Sequence, residues 1–169
     1  MNDKLRIEDF EPGHFARLRL RKEDSLDLAG IEPESLFSSW KGGRTVFLGQ
    51  EPAMVYGYWE KSGTAGIWAL TTPFLNRFPL FVTRLARTGI EGLFQCGNHR
   101  VETYCHSRNA RSFAWLTRSL GFRVEGLMRR CGPNKQDRYL LALPALDWPN
   151  GGRTATEKTS NRHSQGVIL

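Results

Sequence analysis

Residues 109–122 read Asn-Ala-Arg-Ser-Phe-Ala-Trp-Leu-Thr-Arg-Ser-Leu-Gly-Phe, and this stretch decides the fold. Phe113, Leu116 and Leu120 recur at i, i+3 and i+7, which places them on one face of a helix. Asn109 is a residue type that caps helix N-termini by accepting a backbone hydrogen bond. Gly121 and Phe122 stand where a glycine and its apolar follower end a helix. The stretch therefore predicts one amphipathic helix from Asn109 to Gly121.

Strands are predicted on both sides of this helix. Before it, Arg100–His106 alternates, with Val101, Thr103 and Cys105 on one side. After it, Phe122–Arg130 forms a strand, Cys131–Gln136 a loop and Asp137–Leu143 the last strand. The second half of the chain is therefore predicted to end in a β-hairpin.

The first half of the chain predicts one strand, a helical region and a run of three strands. Leu5, Ile7 and Phe10 indicate the first strand. Helical segments are predicted over His14–Arg21, Asp24–Ala29 and Glu32–Lys41, the last ended by Gly42-Gly43. An antiparallel meander follows over Arg44–Leu48, Ala53–Glu60 and Thr64–Thr71, and then a helix from Pro79 to about Gly92.

The resulting element order is β-α-α-β-β-β-α-β-α-β-β, a mixed α/β (α+β) fold. The strand–helix–strand unit in the middle predicts a crossover between parallel strands. Residues 1–148 are predicted to form one domain, and residues 149–169 a disordered tail. From Asn150 onward the chain is rich in Gly, Thr, Ser and Asn, and it buries too little apolar surface to offset its ordering entropy.

The stretch from Asn109 to Phe122 resembles the fourth-helix signature of the GNAT superfamily of acyl-CoA N-acyltransferases. The strand and hairpin that follow, and the element order over about residues 1–145, are similar to that family as well. The resemblance implies a central sheet that splays between Thr64–Thr71 and Arg100–His106 and is flanked by helices. It implies pantetheine in that gap, bonded to the fourth strand's backbone, and a pyrophosphate at the third helix's N-terminus.

The resemblance also implies which residues contact acetyl-CoA. Leu70 and Thr71 match the end of the fourth strand, and Asn109 matches a cofactor-side Asn; a plain N-cap is the other interpretation of Asn109. The pyrophosphate loop corresponds to Thr72–Phe78, but it departs from the family, because no glycine occurs between Ala69 and Thr88. Without glycines the backbone approaches phosphate less closely, so the loop either binds phosphate poorly or binds it through the Asn76 and Arg77 side chains, which are the predicted ligands; a solvated arginine is the other interpretation of Arg77.

The catalytic groups of the family are not matched one for one. Many members carry a general-acid Tyr in the fourth helix, where this chain has Trp115-Leu116-Thr117. Many carry a Glu base on the fourth strand, and Thr64–Thr71 contains no carboxylate. Tyr104 and His106, which share one face of their strand, are the predicted replacements. Other titratable or hydroxyl side chains remain as alternatives: Glu60, Glu102, Ser107 and Tyr139.

Composition excludes several classes of protein. The chain has 169 residues, of which 40% are hydrophobic, enough for a packed core. No run approaches the roughly 18 apolar residues of a membrane span, and the first residues lack an apolar signal core. Three cysteines argue against a disulfide scaffold, so a cytoplasmic location is predicted. No metal site is predicted, because the adjacent Cys105 and His106 point to opposite faces of a strand.

Three functions remain open on the sequence. The first is transfer of an acetyl group from acetyl-CoA to a small-molecule or protein amine. The second is a catalytically impaired protein that binds a host protein, since the family's loop glycines, Tyr and Glu are missing; the chain also looks similar to GNAT-like proteins encoded by bacteriophages. The third is nucleic-acid binding through the net charge of +7. No helix-turn-helix, RNA-recognition or zinc-finger pattern supports the third, and the arginines fit an anionic cofactor equally well.

Overall fold

A computed structural model describes residues 4–28, 41–132 and 134–149. Within them the element order is the predicted one, built on a seven-stranded sheet whose strands lie side by side in chain order, except that the last two exchange places. The tail predicted over residues 149–169 lies outside the described residues except for Pro149, and the helix predicted over Glu32–Lys41 lies outside them except for Lys41, which belongs to a strand. In the part of the chain that is described, no helix has the length and apolar character needed to cross a membrane.

The first four strands are antiparallel neighbours, and the meander predicted for the second to the fourth is confirmed. They are β1 (Leu5–Asp9), β2 (Lys41–Leu48), β3 (Glu51–Lys61) and β4 (Thr64–Thr71). Gly42-Gly43 was expected to end a helix but lies inside β2. Gly42 takes a φ of +57° where the pairing with β3 shifts register, so its freedom serves a bulge in the strand.

Two short helices, α1 (Pro12–Ala16) and α2 (Lys22–Leu28), precede β2 along the chain. The helix predicted over His14–Arg21 ends earlier, at Ala16. Beyond it Leu18 joins a buried cluster with Val55 and Leu70, and the Arg21 N–H bonds to the Thr71 carbonyl at 3.0 Å. The packing of Leu18 and the backbone bond of Arg21 thus hold this segment against the sheet, where the local preference predicted further helical turns.

The cluster of Leu18, Val55 and Leu70 lies on one face of the sheet. The opposite face is covered by α3 (Pro79–Gln95) and α4 (Ala110–Ala114). The helix of α3 runs past Gly92 because Leu93 and Phe94 are buried in the core, and it ends before Gly97, whose φ is +95°. A π-helical turn over Trp115–Ser119 continues α4, so that the Leu120 N–H bonds to the Trp115 carbonyl.

The remaining strands are β5 (Arg100–His106), β6 (Arg123–Met128) and β7 (Arg138–Pro144). The predicted hairpin is confirmed, with β7 lying between β5 and β6. As predicted, β4 and β5 are parallel neighbours joined through α3. Strand β5 leads directly into α4, so the carboxyl end of β4, the start of α3 and the start of α4 face a common space.

Candidate functional site

The sheet opens between β4 and β5. The two strands pair at only three positions, Thr64 with Arg100, Ala65 with Val101 and Gly66 with Glu102. One step further, the Thr103 hydroxyl donates to the Ile67 carbonyl at 2.9 Å. Beyond that contact β4 still pairs with β3, and β5 still pairs with β7. The gap is therefore bounded by two strands that are each held firmly on their other side.

Strand β4 presents alternate backbone groups to this gap. The Thr72 N–H bonds to the Ala53 carbonyl on the β3 side at 2.9 Å, and Leu70 also pairs on that side with Val55. Alternation then directs the N–H and C=O groups of Ala69 and Thr71 toward the gap. Ala69 is exposed, so its backbone groups are the ones presented to a ligand.

The backbone groups of Thr71 already have partners. Its N–H donates to Asp24 Oδ2 at 2.8 Å, and its carbonyl accepts from the Arg21 N–H at 3.0 Å. Its hydroxyl also donates to Asp24 Oδ2, at 2.7 Å. Arg21 Nη2 binds Asp24 Oδ1 at 2.7 Å in a largely buried ion pair. The segment before α2 and the first turn of α2 are thus fastened to the end of β4.

A cavity of about 290 Å³ opens beside this contact, between the end of β4, the start of α3 and α4. Its polar residues come from the segment before α2, from β4, from the loop after β4 and from α4 with its π-helical turn. The other lining residues are apolar. The lining residues are Arg21, Met54, Ala69, Thr71, Leu75, Asn76, Pro79, Val82, Arg111, Ser112 and Trp115. The lining includes two arginines and no carboxylate among the described residues, which favours an anionic ligand.

The loop between β4 and α3 forms a 3₁₀ turn over Pro73–Arg77. Asn76, at the cavity wall, accepts a hydrogen bond from Arg111 Nη1 of α4 at 2.7 Å. Arg77 is exposed and outside the cavity lining, with its guanidinium 5.7 Å from the centre of the Phe78 ring. Asn76 and Arg77 therefore occupy the predicted loop, but only Asn76 borders the cavity.

The amino end of α3 also borders the cavity, through Pro79 and Val82. Its N-cap residue is Phe78, whose apolar side chain cannot accept a hydrogen bond, and the first N–H to find a helical acceptor is that of Val82. The N–H groups of Leu80 and Phe81 have no acceptor within the helix, and they lie at the positive end of the helix dipole.

Two other predicted cofactor residues lie behind the cavity wall. Asn109 is buried, at 3% exposure, and its side chain accepts from the Ser112 N–H at 3.1 Å, so it caps α4. Leu70 packs its side chain among Leu18 and Val55 on the far face of the sheet. Of the predicted cofactor residues, the structure brings Thr71 and Asn76 to the cavity.

Trp115 occupies the region where the family carries its tyrosine. The indole lines the cavity, and its Nε1 donates to the Thr83 hydroxyl of α3 at 3.0 Å. It lies in the π-helical turn, a deviation that often accompanies functional sites. The indole N–H therefore links α4 to α3 and is already used as a hydrogen-bond donor.

Tyr104 and His106 lie on one face of β5 in different surroundings. The Tyr104 side chain is 43% exposed, and its hydroxyl donates to Glu102 Oε1 across 3.5 Å. Partial burial, and then the Glu102 carboxylate, raise the pKa of Tyr104, so the phenol stays protonated at neutral pH. Glu102 also accepts from Arg100 Nε at 3.1 Å.

His106 is buried, at 6% exposure, and its Nδ1 accepts from the Arg108 N–H at 3.0 Å. Burial, and then the positive charges of Arg138 and Arg108, lower the pKa of the imidazole. The ring is therefore neutral at pH 7, and its hydrogen bond with Arg108 stabilises the turn between β5 and α4.

Glu60, one of the alternative catalytic residues, lies far from the cavity. It accepts from Asn98 Nδ2 at 2.7 Å, at the opposite end of β3.

The cysteines and histidines assemble no further site in the described residues. Cys96, Cys105 and Cys131 are all free thiols. No group of three or more His, Cys, Asp or Glu side chains in the described ranges is arranged to hold a metal ion.

The splayed seven-stranded sheet matches solved acetyltransferases. The structure of the acetyltransferase (GNAT family) from Bacillus anthracis superposes with a TM-score of 0.61 at 18% identity, over 85% of this chain and 96% of that one. The chain has the GNAT fold. The resemblance seen in the sequence is thus confirmed at the level of the fold, although the sequence matches no family model and no curated protein.

Two further GNAT-fold structures align with this chain. The ribosomal-protein-S18-alanine N-acetyltransferase from Escherichia coli has a TM-score of 0.63 at 17% identity, over 83% of this chain and 94% of that one. The protein yncA from Salmonella typhimurium, solved with its cofactor acetyl-CoA, has a TM-score of 0.59 at 17% identity, over 83% of this chain and 93% of that one. At these identities the likeness concerns the GNAT fold, not the substrate.

Sequence reasoning did not assign a site role to Arg21 and Arg111, which line this cavity, or to Asp24, which is bonded to Arg21 and Thr71 beside it. Arg111 lies inside the stretch that decides the fold, where its position in the first turn of the predicted helix was a usable signal. Arg21 and Asp24 are three residues apart, which is ordinary helical spacing for an ion pair. Nothing in that spacing indicated that Thr71, nearly fifty residues away, would be their shared partner.

Proposed function

We propose that the protein is an acyl-CoA-dependent N-acyltransferase that moves an acetyl group to an amine of a small molecule or a protein. One observation carries this proposal: β4 and β5 separate after three paired residues, next to a cavity with a basic lining. The GNAT-fold protein yncA, which holds acetyl-CoA, supports the choice of cofactor class. The proposed location of the protein is the cytoplasm.

The cavity residues fit the chemistry of an acyl-CoA. The Ala69 backbone offers one donor and one acceptor to an amide of the pantetheine arm, and Met54, Leu75, Val82 and Trp115 offer apolar contact along it. Arg111, Asn76 and the uncapped end of α3 supply donors for a diphosphate. Thr71, whose backbone groups are engaged, adds no backbone contact in this arrangement.

Acetyl-CoA, when bound, supplies a thioester whose carbonyl carbon an amine can attack, forming the amide and releasing the thiol. Tyr104 is the proposed proton donor, since its phenol is protonated at neutral pH, exposed on β5 and next to Glu102. His106, the second predicted catalytic residue, is proposed to hold the turn before α4, because its Nδ1 is already an acceptor there.

Thiol release measures this activity directly. The protein is incubated with acetyl-CoA and a panel of amines that includes polyamines, amino acids and peptides with free N-termini. The expected result is amine-dependent release of free thiol, with a mass gain of one acetyl group on the amine. Acetyl-CoA hydrolysis at the buffer rate with every amine contradicts the proposal.

A second candidate is a GNAT-fold protein that binds a host protein without catalysis. The contact of Asp24 with the Thr71 backbone favours it, because that contact occupies a position where the family's cofactor bonds to β4. The two candidates differ in acetyl-CoA binding, which the second does not require. A pull-down from bacterial lysate that yields no specific partner counts against the second.

A further inference from the structure

Arg111 is the exposed arginine of the cavity lining. Its Nη1 donates to the neutral amide oxygen of Asn76, and no carboxylate in the described residues pairs with it. By contrast, Arg21, the other cavity arginine, is bonded to the Asp24 carboxylate by both its Nε and its Nη2. An anion entering the cavity therefore gains most from Arg111.

The position of Arg111 is fixed from two sides. It belongs to the first turn of α4, which Asn109 caps by accepting from the Ser112 N–H. Its guanidinium reaches across the cavity mouth to Asn76, in the loop before α3. Pro79 and Val82 at the start of α3 and Ser112 of α4 line the same cavity. Polar side chains from the loop before α3 and from the first turn of α4 thus meet at the cavity.

We propose that Arg111, held at the cavity mouth by Asn76, binds the diphosphate of acyl-CoA in place of a glycine-rich loop. This inference rests on the proposed function. It accounts for the absence of glycine between Ala69 and Thr88, because a planar guanidinium with several donors reaches the phosphate oxygens without close backbone approach. It replaces Arg77, which lies outside the cavity lining, as the principal arginine ligand.

Calorimetry with two ligands tests the proposal. Acetyl-CoA carries the diphosphate, and S-acetyl-pantetheine carries the same arm and thioester without phosphate. Arg111→Ala is expected to weaken acetyl-CoA binding by roughly 10- to 100-fold, the loss of hydrogen bonds to a charged group, and to change S-acetyl-pantetheine binding by less than about twofold. The salt dependence of acetyl-CoA binding is expected to become shallower.

Two further variants distinguish the role of Arg111 from a general effect of net charge. Arg118→Ala removes the same charge from an exposed position on the same helical segment, away from the cavity lining, and is expected to bind acetyl-CoA nearly as wild type does. Asn76→Asp places a carboxylate against Arg111 and is expected to weaken acetyl-CoA binding at least as much as Arg111→Ala. Thermal melts establish that each variant is folded.

The outcomes separate the two proposals. If wild type binds acetyl-CoA and Arg111→Ala binds it equally well, the role of Arg111 is wrong while the proposed function stands. Equal weakening by Arg118→Ala also overturns the role of Arg111, since it would reflect net charge alone. If wild type binds neither ligand, both the proposed function and the role of Arg111 are wrong.

Discussion

Asp24 accepts hydrogen bonds from both the backbone N–H and the hydroxyl of Thr71, at 2.8 and 2.7 Å, through the same carboxylate oxygen. The carboxylate is also paired with Arg21, whose own N–H bonds to the Thr71 carbonyl. All the polar groups of Thr71 on the gap side are satisfied by one short segment. This contact fixes the end of β4 and leaves Ala69 as the backbone position presented to a ligand.

Replacing Asp24 is expected to destabilise the fold strongly. Asp24→Ala leaves Arg21 as a largely buried, unpaired cation and removes the acceptor of two Thr71 donors. Breaking a buried ion pair from one side costs about 3–5 kcal/mol. Urea denaturation followed by circular dichroism measures this loss in the free energy of unfolding.

Asp9→Ala is the matched control, because Asp9 pairs with Arg44 on the surface and surface pairs contribute little. Its unfolding midpoint is expected to stay close to that of wild type. If Asp24→Ala unfolds at the same urea concentration as Asp9→Ala, the contacts of Asp24 with Thr71 and Arg21 do not stabilise the fold.

The amides of Ala69 and Thr71 are expected to respond differently to acetyl-CoA. The Thr71 N–H is already bonded to Asp24, so its hydrogen exchange is slow before ligand is added. The exposed Ala69 directs its N–H into the gap, so its exchange is expected to slow only on binding. Exchange followed residue by residue by NMR, with and without acetyl-CoA, makes this comparison.

A different pattern would revise the cofactor contact. If Thr71 loses protection when acetyl-CoA binds, the ligand displaces Asp24, and the cleft opens by movement of α2. If neither amide changes while acetyl-CoA binds, the pantetheine arm does not bond to β4.

Tyr104→Phe is expected to lower kcat by about 100-fold, which is the lower end of the rate enhancement that general acid–base catalysis supplies. KM for acetyl-CoA is expected to stay nearly unchanged. The phenol hydroxyl is the group lost, and Tyr104 does not line the cofactor cavity. Steady-state thiol release measures both constants.

Tyr58→Phe makes the same chemical change on β3, where the ring packs against the main core cluster. Its kcat is expected to stay near that of wild type. A kcat that is equal in the two variants removes Tyr104 from the proton-transfer role.

His106 is expected to make stability depend on pH on the acid side. Its lowered pKa means that the folded protein holds the ring neutral, whereas the unfolded chain protonates near pH 6.5. The stability it contributes is present above that value and is lost as the pH falls through it toward the folded pKa. Melting temperatures between pH 8 and pH 5 are expected to decline less steeply for His106→Asn, whose amide oxygen can still accept from Arg108.

His99→Asn serves as the control, because His99 is exposed. It is expected to keep the decline of wild type. If His106→Asn also keeps that decline, the imidazole is not the group responsible.

The fold was predictable because its strongest signals are local. The strands over Thr64–Thr71 and Arg100–His106 have the predicted bounds, and Asn109 caps α4 as its residue type indicates. Errors occur where tertiary contacts override local preference. The helix predicted to reach Arg21 stops at Ala16 because residues 18–21 bind the sheet, and Gly42 serves a bulge in β2.

The candidate site was less predictable because it depends on which side of a strand each backbone group faces. Leu70 and Thr71 are neighbours in sequence and both pair in register with β3, yet the backbone groups of Leu70 point toward β3 and those of Thr71 point toward the gap. Register of this kind follows from pairing across the sheet, which no local pattern reveals. The Asn76–Arg111 contact likewise joins residues 35 positions apart.

Calorimetric titration of the full chain with acetyl-CoA tests the central claim most directly. An acyl-CoA-dependent enzyme with this cavity is expected to bind one acetyl-CoA per chain with micromolar affinity, about −8 kcal/mol, and more weakly as salt rises. The absence of saturable binding at millimolar acetyl-CoA and low salt would contradict the account.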